Sequence, residues 1–294
     1  MGYFFVFSYL ICFGLSDCLW LYIKKDIPLS LVMLFRSIIT TALFLLLFLL
    51  IKFNFINIGF KILPCSFLQM GEAIILSLIS YWGLYFFVKS LNYNGVGLSA
   101  TITTVTNSVL SLILSILFFK ELLTFKISIC FILAFIGILL CDKNSFQNSL
   151  KFKFTKGVGY CFLAAIFWAV SYTLFKNPIE KIGVINFSLI LESSILLMGL
   201  IIFFVKKQTI LIAKQISIKE KKIIAFIGFL IFVGTLTNSA SYNVLPLITL
   251  NILGKLGLTV PVLFGMILLK ERPSTKQYLG IGILFLASII LIIN

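Results

Sequence analysis

Two long stretches of this chain carry no charged side chain at all: everything between Lys89 and Lys120, and everything between Lys222 and Lys255. An α-helix rises about 1.5 Å per residue, so about 20 apolar residues cross the hydrocarbon of a bilayer. Both stretches exceed that length. In lipid the backbone must satisfy its own hydrogen bonds, which leaves helices and closed barrels as spanning structures. Charge-free runs of this length read as helices. Asn238, Asn243 and Pro246 fall near the middle of the second run, which we divide there into two spans.

Composition extends this to the whole chain. Hydrophobic residues make up 61% and charged residues 11%, with a mean hydropathy of +1.17, against about 45–50% apolar for a soluble domain. Charges and turn residues punctuate the sequence into ten spans: 3–23, 29–51, 66–88, 96–119, 124–141, 157–176, 183–205, 223–243, 246–269 and 276–293. The expected fold class is an all-α integral membrane protein of ten transmembrane helices. A soluble enzyme and a nucleic-acid-binding protein are excluded. The net charge of +15 comes from Lys and Arg placed singly or in short clusters between apolar runs, where anionic lipid headgroups attract them. Membrane lipids are therefore expected partners, and nucleic acid is not. The basic loops 142–156 and 206–222 are too short to be domains.

The chain has no histidine, which removes the usual general base near neutral pH and the commonest metal ligand. No metal site, cofactor or catalytic residue is expected. Cys12, Cys18, Cys65, Cys130, Cys141 and Cys161 are dispersed without a C-x-x-C pair and read as small buried hydrophobes. The first apolar run is full length, lacks a basic leader and contains Asp17, so it reads as a retained span rather than a signal peptide. Of the basic residues outside spans, 16 fall in odd-numbered connections and 6 elsewhere. The positive-inside rule then puts both termini away from the cytoplasm.

The sequence also repeats itself. Ser90-Leu91-Asn92-Tyr93-Asn94 matches Ser239-Ala240-Ser241-Tyr242-Asn243 at an offset of 149, and Leu117-Phe118-Phe119-Lys120-Glu121 matches Ile267-Leu268-Leu269-Lys270-Glu271 at 150. Gly137 and Ala287 then fall at the same spacing past Glu121 and Glu271. Upstream, an offset of 156 aligns Ile27–Ser37 with Gly183–Ser193 and sets Arg36 opposite Glu192. The expectation is two five-span halves, 1–150 and 151–294. An odd number of spans per half makes the second enter from the opposite side, an inverted repeat with a shared site near the midplane.

These residues resemble the drug/metabolite transporter superfamily and its ten-span EamA-like members. Leu34-Phe35-Arg36 resembles the family's Arg-containing second span, and Trp168-Ala169 its Trp-Ala in span 6. Lys120-Glu121 and Lys270-Glu271 resemble the Glu turns after spans 4 and 9. Phe13-Gly14 stands where the family usually has Trp-Gly. Ser108 and Leu258 stand where it has prolines, and Pro261 is displaced toward Glu271. The helix breaks those prolines imply are therefore in question. The resemblance implies export and termini in the cytoplasm, against the count of basic residues, so both orientations stand open.

Ionisable residues inside spans are functional candidates by default, because burying a charge in lipid is unfavourable. Arg36 and Glu192 hold equivalent places in the two halves. They read as a substrate clamp, Arg36 forking onto a carboxylate and Glu192 taking an ammonium group, or as a structural ion pair tying spans 2 and 7. Lys255 sits too deep in span 9 to reach the headgroups and reads as a cavity residue. Asp17 reads as a protonatable coupling group, and Glu72 as interfacial. Tyr85, Asn107, Trp168, Tyr172, Asn238, Tyr242 and Asn251 complete the substrate-binding set, joined by Ser16, Tyr81, Trp82 and Thr103 as cavity lining. Lys120-Glu121 and Lys270-Glu271 read as helix caps or bridges between loops.

The chain therefore reads as a secondary transporter of the cell (inner) membrane. It exports a small polar metabolite, an amino acid or a related compound, by alternating access as a monomer or homodimer. A proton or counter-substrate drives it. An exchanger of anionic or phosphorylated metabolites is the first alternative, and a membrane enzyme acting on lipid-linked substrates is another. A structural membrane protein without ligand is the last.

Overall fold

The computed structural model describes residues 1–20, 22–23, 27–57, 59–94, 96–141, 155–205, 216–260 and 274–293. Among them the regular structure is helical: α1 Gly2–Trp20, α2 Leu29–Lys52, α3 Phe67–Asn94, α4 Val96–Phe119, α5 Phe125–Cys141, α6 Lys156–Leu174, α7 Lys176–Ile182, α8 Val184–Val205, α9 Ile218–Tyr242, α10 Leu247–Gly254 and α11 Thr275–Ile292. A 3-10 turn, Lys255–Leu258, continues from α10. Eight helical stretches are long and apolar enough to cross a membrane, with α6 and α7 counted as one of 27 residues. Two shorter apolar helices, Phe125–Leu140 and Leu247–Gly257, bring the described spans to the ten expected.

Sequence signals explain where these helices start and stop. Ser66 and Gln69 form a reciprocal cap at the start of α3: the Ser66 N–H donates to Gln69 Oε1 at 2.9 Å, and the Gln69 N–H to Ser66 Oγ at 3.3 Å. Ser217 with Glu220 does the same for α9, and Ser274 with Gln277 for α11. Thr124 Oγ1 accepts the Ile127 N–H at the start of α5. Such caps satisfy donors that the first helical turn leaves open. The spacing from Ser66 to Ser217, and from Thr124 to Ser274, follows the offsets of the sequence repeat closely.

Helix breaks depart from the expected boundaries. Span 6 was expected to end at 176, but α6 stops at Leu174 and α7 carries on to Ile182. Pro178 explains the break, since it has no N–H to return to the Leu174 carbonyl and its ring crowds that carbonyl. Gly183, at φ +82°, then separates α7 from α8. Helix α4 runs unbroken through Ser108, whereas span 9 tightens into the 3-10 turn at Lys255. Of the repeat-related breaks only the second is present among the described residues. Cys65 is exposed rather than buried, because it lies in the connection before α3. Pro261, Ile267–Glu271 and most of the basic loops 142–156 and 206–222 lie outside the described residues.

The described chain forms two compact units, each drawing on both halves of the sequence. The first comprises Met1–Tyr81 with Leu174–Val244, and the second Trp82–Thr173 with Leu245–Asn294. In the first, α1 packs on α9, and α2 on both α8 and α9. Leu34 meets Gly199 while Arg36 meets Glu192, so α2 and α8 run antiparallel. Phe44 and Phe232 pack edge to face at 4.7 Å between α2 and α9. Ile23, Leu31, Val32, Ile216, Ile224 and Ile227 form a buried cluster in this unit. In the second unit α5 packs on α11, where Gly137 admits Leu284 and the Gly280 carbonyl, and α4 packs on α10.

One contact recurs in both units. Trp168 of α6 lies against Gly83 of α3, and Phe13 of α1 lies against Gly234 of α9. A Cβ on either glycine would collide with the ring. Phe13 and Trp168 lie 155 residues apart, close to the repeat offset of 156. Gly83 and Gly234 are related by nearly the same repeat offset.

Candidate functional site

The first unit buries an ion pair between α2 and α8. Arg36 is the eighth residue of α2 and Glu192 the ninth of α8, each about 10–12 Å along its helix at 1.5 Å per residue. Arg36 Nη1 donates to Glu192 Oε2 at 3.0 Å, and both side chains are 2% exposed. On its other oxygen Glu192 accepts the Thr235 hydroxyl of α9 at 3.3 Å. Three helices thus meet on one carboxylate.

Close packing brings them there. Gly228 of α9 lies against Arg36's own carbonyl and the Ile39 side chain. Thr40 Oγ1 sits 2.9 Å from the Arg36 carbonyl and 3.1 Å from that of Gly228, within reach of either. One turn before Glu192, Ser188 Oγ donates to Ser239 Oγ of α9 at 3.1 Å. Glu192 with Ser188, and Thr235 with Ser239, are pairs at i and i+4 on one face of each helix. The result is a polar ladder between two apolar helices.

A guanidinium presents five N–H donors, and the ladder does not use them all. Arg36 Nε is buried without a hydrogen-bond partner among the described residues. A buried charged donor left unpaired is unfavourable by itself, and the arrangement can accept one more anionic oxygen.

Other candidates divide between the units. In the first, Asp17 falls in the last turn of α1, which ends at Trp20, so it lies nearer a helix end than the expected span boundary placed it. It is half-buried and makes no hydrogen bond or ion pair to another described residue. Asn238 is half-buried beside Ser239 and stands outside the ladder, while Tyr242 is buried. Glu72, partly exposed, pairs with Lys181 at 3.0 Å.

The second unit holds Tyr85, Asn107, Trp168, Tyr172, Asn251 and Lys255. Trp168 and Tyr172 stack at 5.9 Å and 13°, and Phe87 packs on Trp168 at 5.2 Å. The Trp168 indole N–H is buried without a partner among the described residues. Tyr85 packs edge-on to Trp82, and the Lys89 ammonium lies 5.7 Å from its ring and 4.6 Å from that of Tyr160. Asn107 Oδ1 sits 3.4 Å from Ser111 Oγ. Asn251 is half-buried and lies one turn before the buried Lys255.

Thr235, Ser188 and Ser239 were missed in the sequence. The one signal that could have found them is spacing, since each stands three or four residues from a residue already singled out or from another of the three, and spacing alone does not separate them from the other serines and threonines. Glu121 does what a capping carboxylate should. Its Oε1 and Oε2 accept the Leu247 and Ile248 N–H groups of α10, each at 2.8 Å.

Residues 155–293 match the EamA-like transporter family. The matched segment, just under half of the chain, is similar to that transporter family. No curated protein matches the chain. The chain also resembles solved structures, among them one titled only as the crystal structure of a protein. The two are 12% identical with a TM-score of 0.72, over 99% of this chain and 96% of that one, a likeness of fold alone. Eight described helices long and apolar enough to cross a membrane make this chain a multi-pass membrane protein.

Proposed function

We propose that this chain is an EamA-like secondary transporter of the cell (inner) membrane that exports an amino acid or related small zwitterion by alternating access. The observation that carries the reading is the buried Arg36–Glu192 pair with Arg36 Nε left open. With no substrate bound, the two charges neutralise each other. A zwitterion inserted between them brings a carboxylate to Arg36 and an ammonium group to Glu192. One ion pair is exchanged for two, and the site holds no net charge at any stage, which is the least unfavourable way to carry charge through low dielectric. The recurring caps and ring-on-glycine contacts, spaced close to the sequence repeat, support two repeats, 1–150 and 151–294, as the architecture behind such a cycle. Asp17 is the candidate coupling group for a proton or counter-substrate.

Counterflow in proteoliposomes loaded with an unlabelled amino acid and challenged with the labelled one tests this. Wild type should exchange at least one amino acid. Arg36→Gln should lower the rate by about 100-fold, as expected for removing a charged hydrogen-bond partner. Exchange that is insensitive to both Arg36→Gln and Glu192→Gln would sink the clamp. An exchanger of anionic metabolites is the second reading, favoured by the buried Lys255.

A further inference from the structure

We propose that Lys255 is a separate oxyanion-binding position in the second unit, taking a carboxylate or phosphoryl group. The inference rests on the transporter reading but not on the Arg36–Glu192 clamp. Lys255 opens the 3-10 turn that follows α10, and three helices, α4, α5 and α11, pack on that turn. The side chain is 6% exposed and makes no hydrogen bond or ion pair to another described residue.

Counting charges sharpens the point. The second unit contains three acidic residues, Glu121, Asp142 and Glu271. Glu121 is committed through both oxygens to the N-terminus of α10, two turns before Lys255. Asp142 and Glu271 lie outside the described residues and are placed by sequence at the ends of spans 5 and 9. At the repeat offset of 150, Lys255 corresponds to Val105, so the first half supplies no counter-charge by symmetry. A buried amine with no acidic partner among the described residues either sheds its proton or takes an anion from elsewhere, and the anion is the reading tested below.

The local backbone suits a ligand. The change from α to 3-10 hydrogen bonding occurs inside a membrane span, where irregular backbone is tolerated if it is enclosed by protein or lines a cavity. Discontinuous helices of this kind mark ligand positions in inverted-repeat transporters. Gly254 and Gly257 flank the lysine without side chains of their own. The Lys255 ammonium is a donor only, which matches an oxyanion and mismatches a cation.

The test uses the full chain in nanodiscs of neutral phosphatidylcholine, so that no anionic lipid supplies the group. Unfolding midpoints are read by tryptophan fluorescence with sodium acetate, sodium succinate or inorganic phosphate, against sodium chloride at equal ionic strength. At least one of the three should raise the wild-type midpoint in a saturable way, and the arm that does so distinguishes carboxylate from phosphoryl. Lys255→Arg should keep that shift. Lys255→Met should weaken the apparent affinity at least about tenfold. Without added anion, Lys255→Met should melt at or above the wild-type temperature, because it removes an uncompensated buried charge. The inference is overturned if no anion shifts the wild type, if Lys255→Met keeps the full shift, or if that variant alone is strongly destabilised as the broken half of an ion pair would be. Arg36→Gln should keep the anion shift, so failure of the clamp and failure of this site give different results.

Discussion

Glu192 is the residue on which most else depends, since Arg36, Thr235 and, through Ser188, the α8–α9 ladder converge near it. Replacing it with Gln keeps the shape and removes the charge, leaving a guanidinium 2% exposed without its counter-ion. Breaking a buried pair in this way destabilises by about 3–5 kcal/mol, whereas replacing both partners with apolar residues of similar volume is often neutral. Glu192→Gln should therefore lower stability markedly in denaturant titrations of the purified protein, and Arg36→Met with Glu192→Leu should recover most of the loss. The double variant should still lack exchange, which separates the pair's structural contribution from its role in binding. A double variant as unstable as Glu192→Gln would mean that the packing around Gly228, not the charge, holds the site together. The pair was legible because a repeat offset set two rare charges opposite each other. Thr235, Ser188 and Ser239 were not, because serines and threonines are common in these helices and mostly bond their own preceding turn, as Ser37 and Ser194 do.

At the scale of elements, span positions were legible from apolar length between charges, whereas the Ser-x-x-Gln and Ser-x-x-Glu caps at three helix starts came to light only in the structure. Where helices break was harder to read. Pro178 ends α6, but it sits past the expected boundary. The 3-10 turn at Lys255 has no proline at the break, which only the enclosing helices make visible. The Lys-Glu turn shows how a short motif acts at a distance. Lys120 adopts φ +52° after the last turn of α4, a left-handed conformation that ends helices and is usually left to Gly or Asn. The reversal presents Glu121 to the open N–H groups of Leu247 and Ile248. A carboxylate there meets both unsatisfied donors and the positive end of the helix dipole. Glu121→Ala should destabilise by about 1–2 kcal/mol, the range for losing an N-terminal cap, while Lys120→Gly should be neutral or stabilising. Thermal midpoints of the two variants check this. Equal loss from both would show that the Lys120 side chain, rather than its backbone, makes the turn.

For the whole molecule, the sequence divides near Leu150, but the compact units do not. The first unit needs α1 and α2 from one half and α8 and α9 from the other; the second needs α4 and α5 together with α10 and α11. Spans 2 and 7, 4 and 9, and 5 and 10 each pack on their repeat partner, so a half expressed alone presents those faces to lipid with nothing to meet them. Among apolar helices in lipid, association comes from close packing and polar contacts rather than from a hydrophobic drive. Gly199 against Leu34, Gly137 against Leu284 and Gly280, and the Arg36–Glu192 pair are such contacts, and every one of them crosses from one half to the other. Residues 1–150 and 151–294 produced separately should therefore be protease-sensitive, and the first should be the worse affected, because it keeps Arg36 without Glu192. Co-expression of the two pieces should restore protease resistance and co-purification. Arg36→Met in the first piece should then relieve part of its instability when it is produced alone. If either piece alone were as resistant as the intact chain, the halves would be independent domains, and the contacts between paired spans would be incidental to the fold.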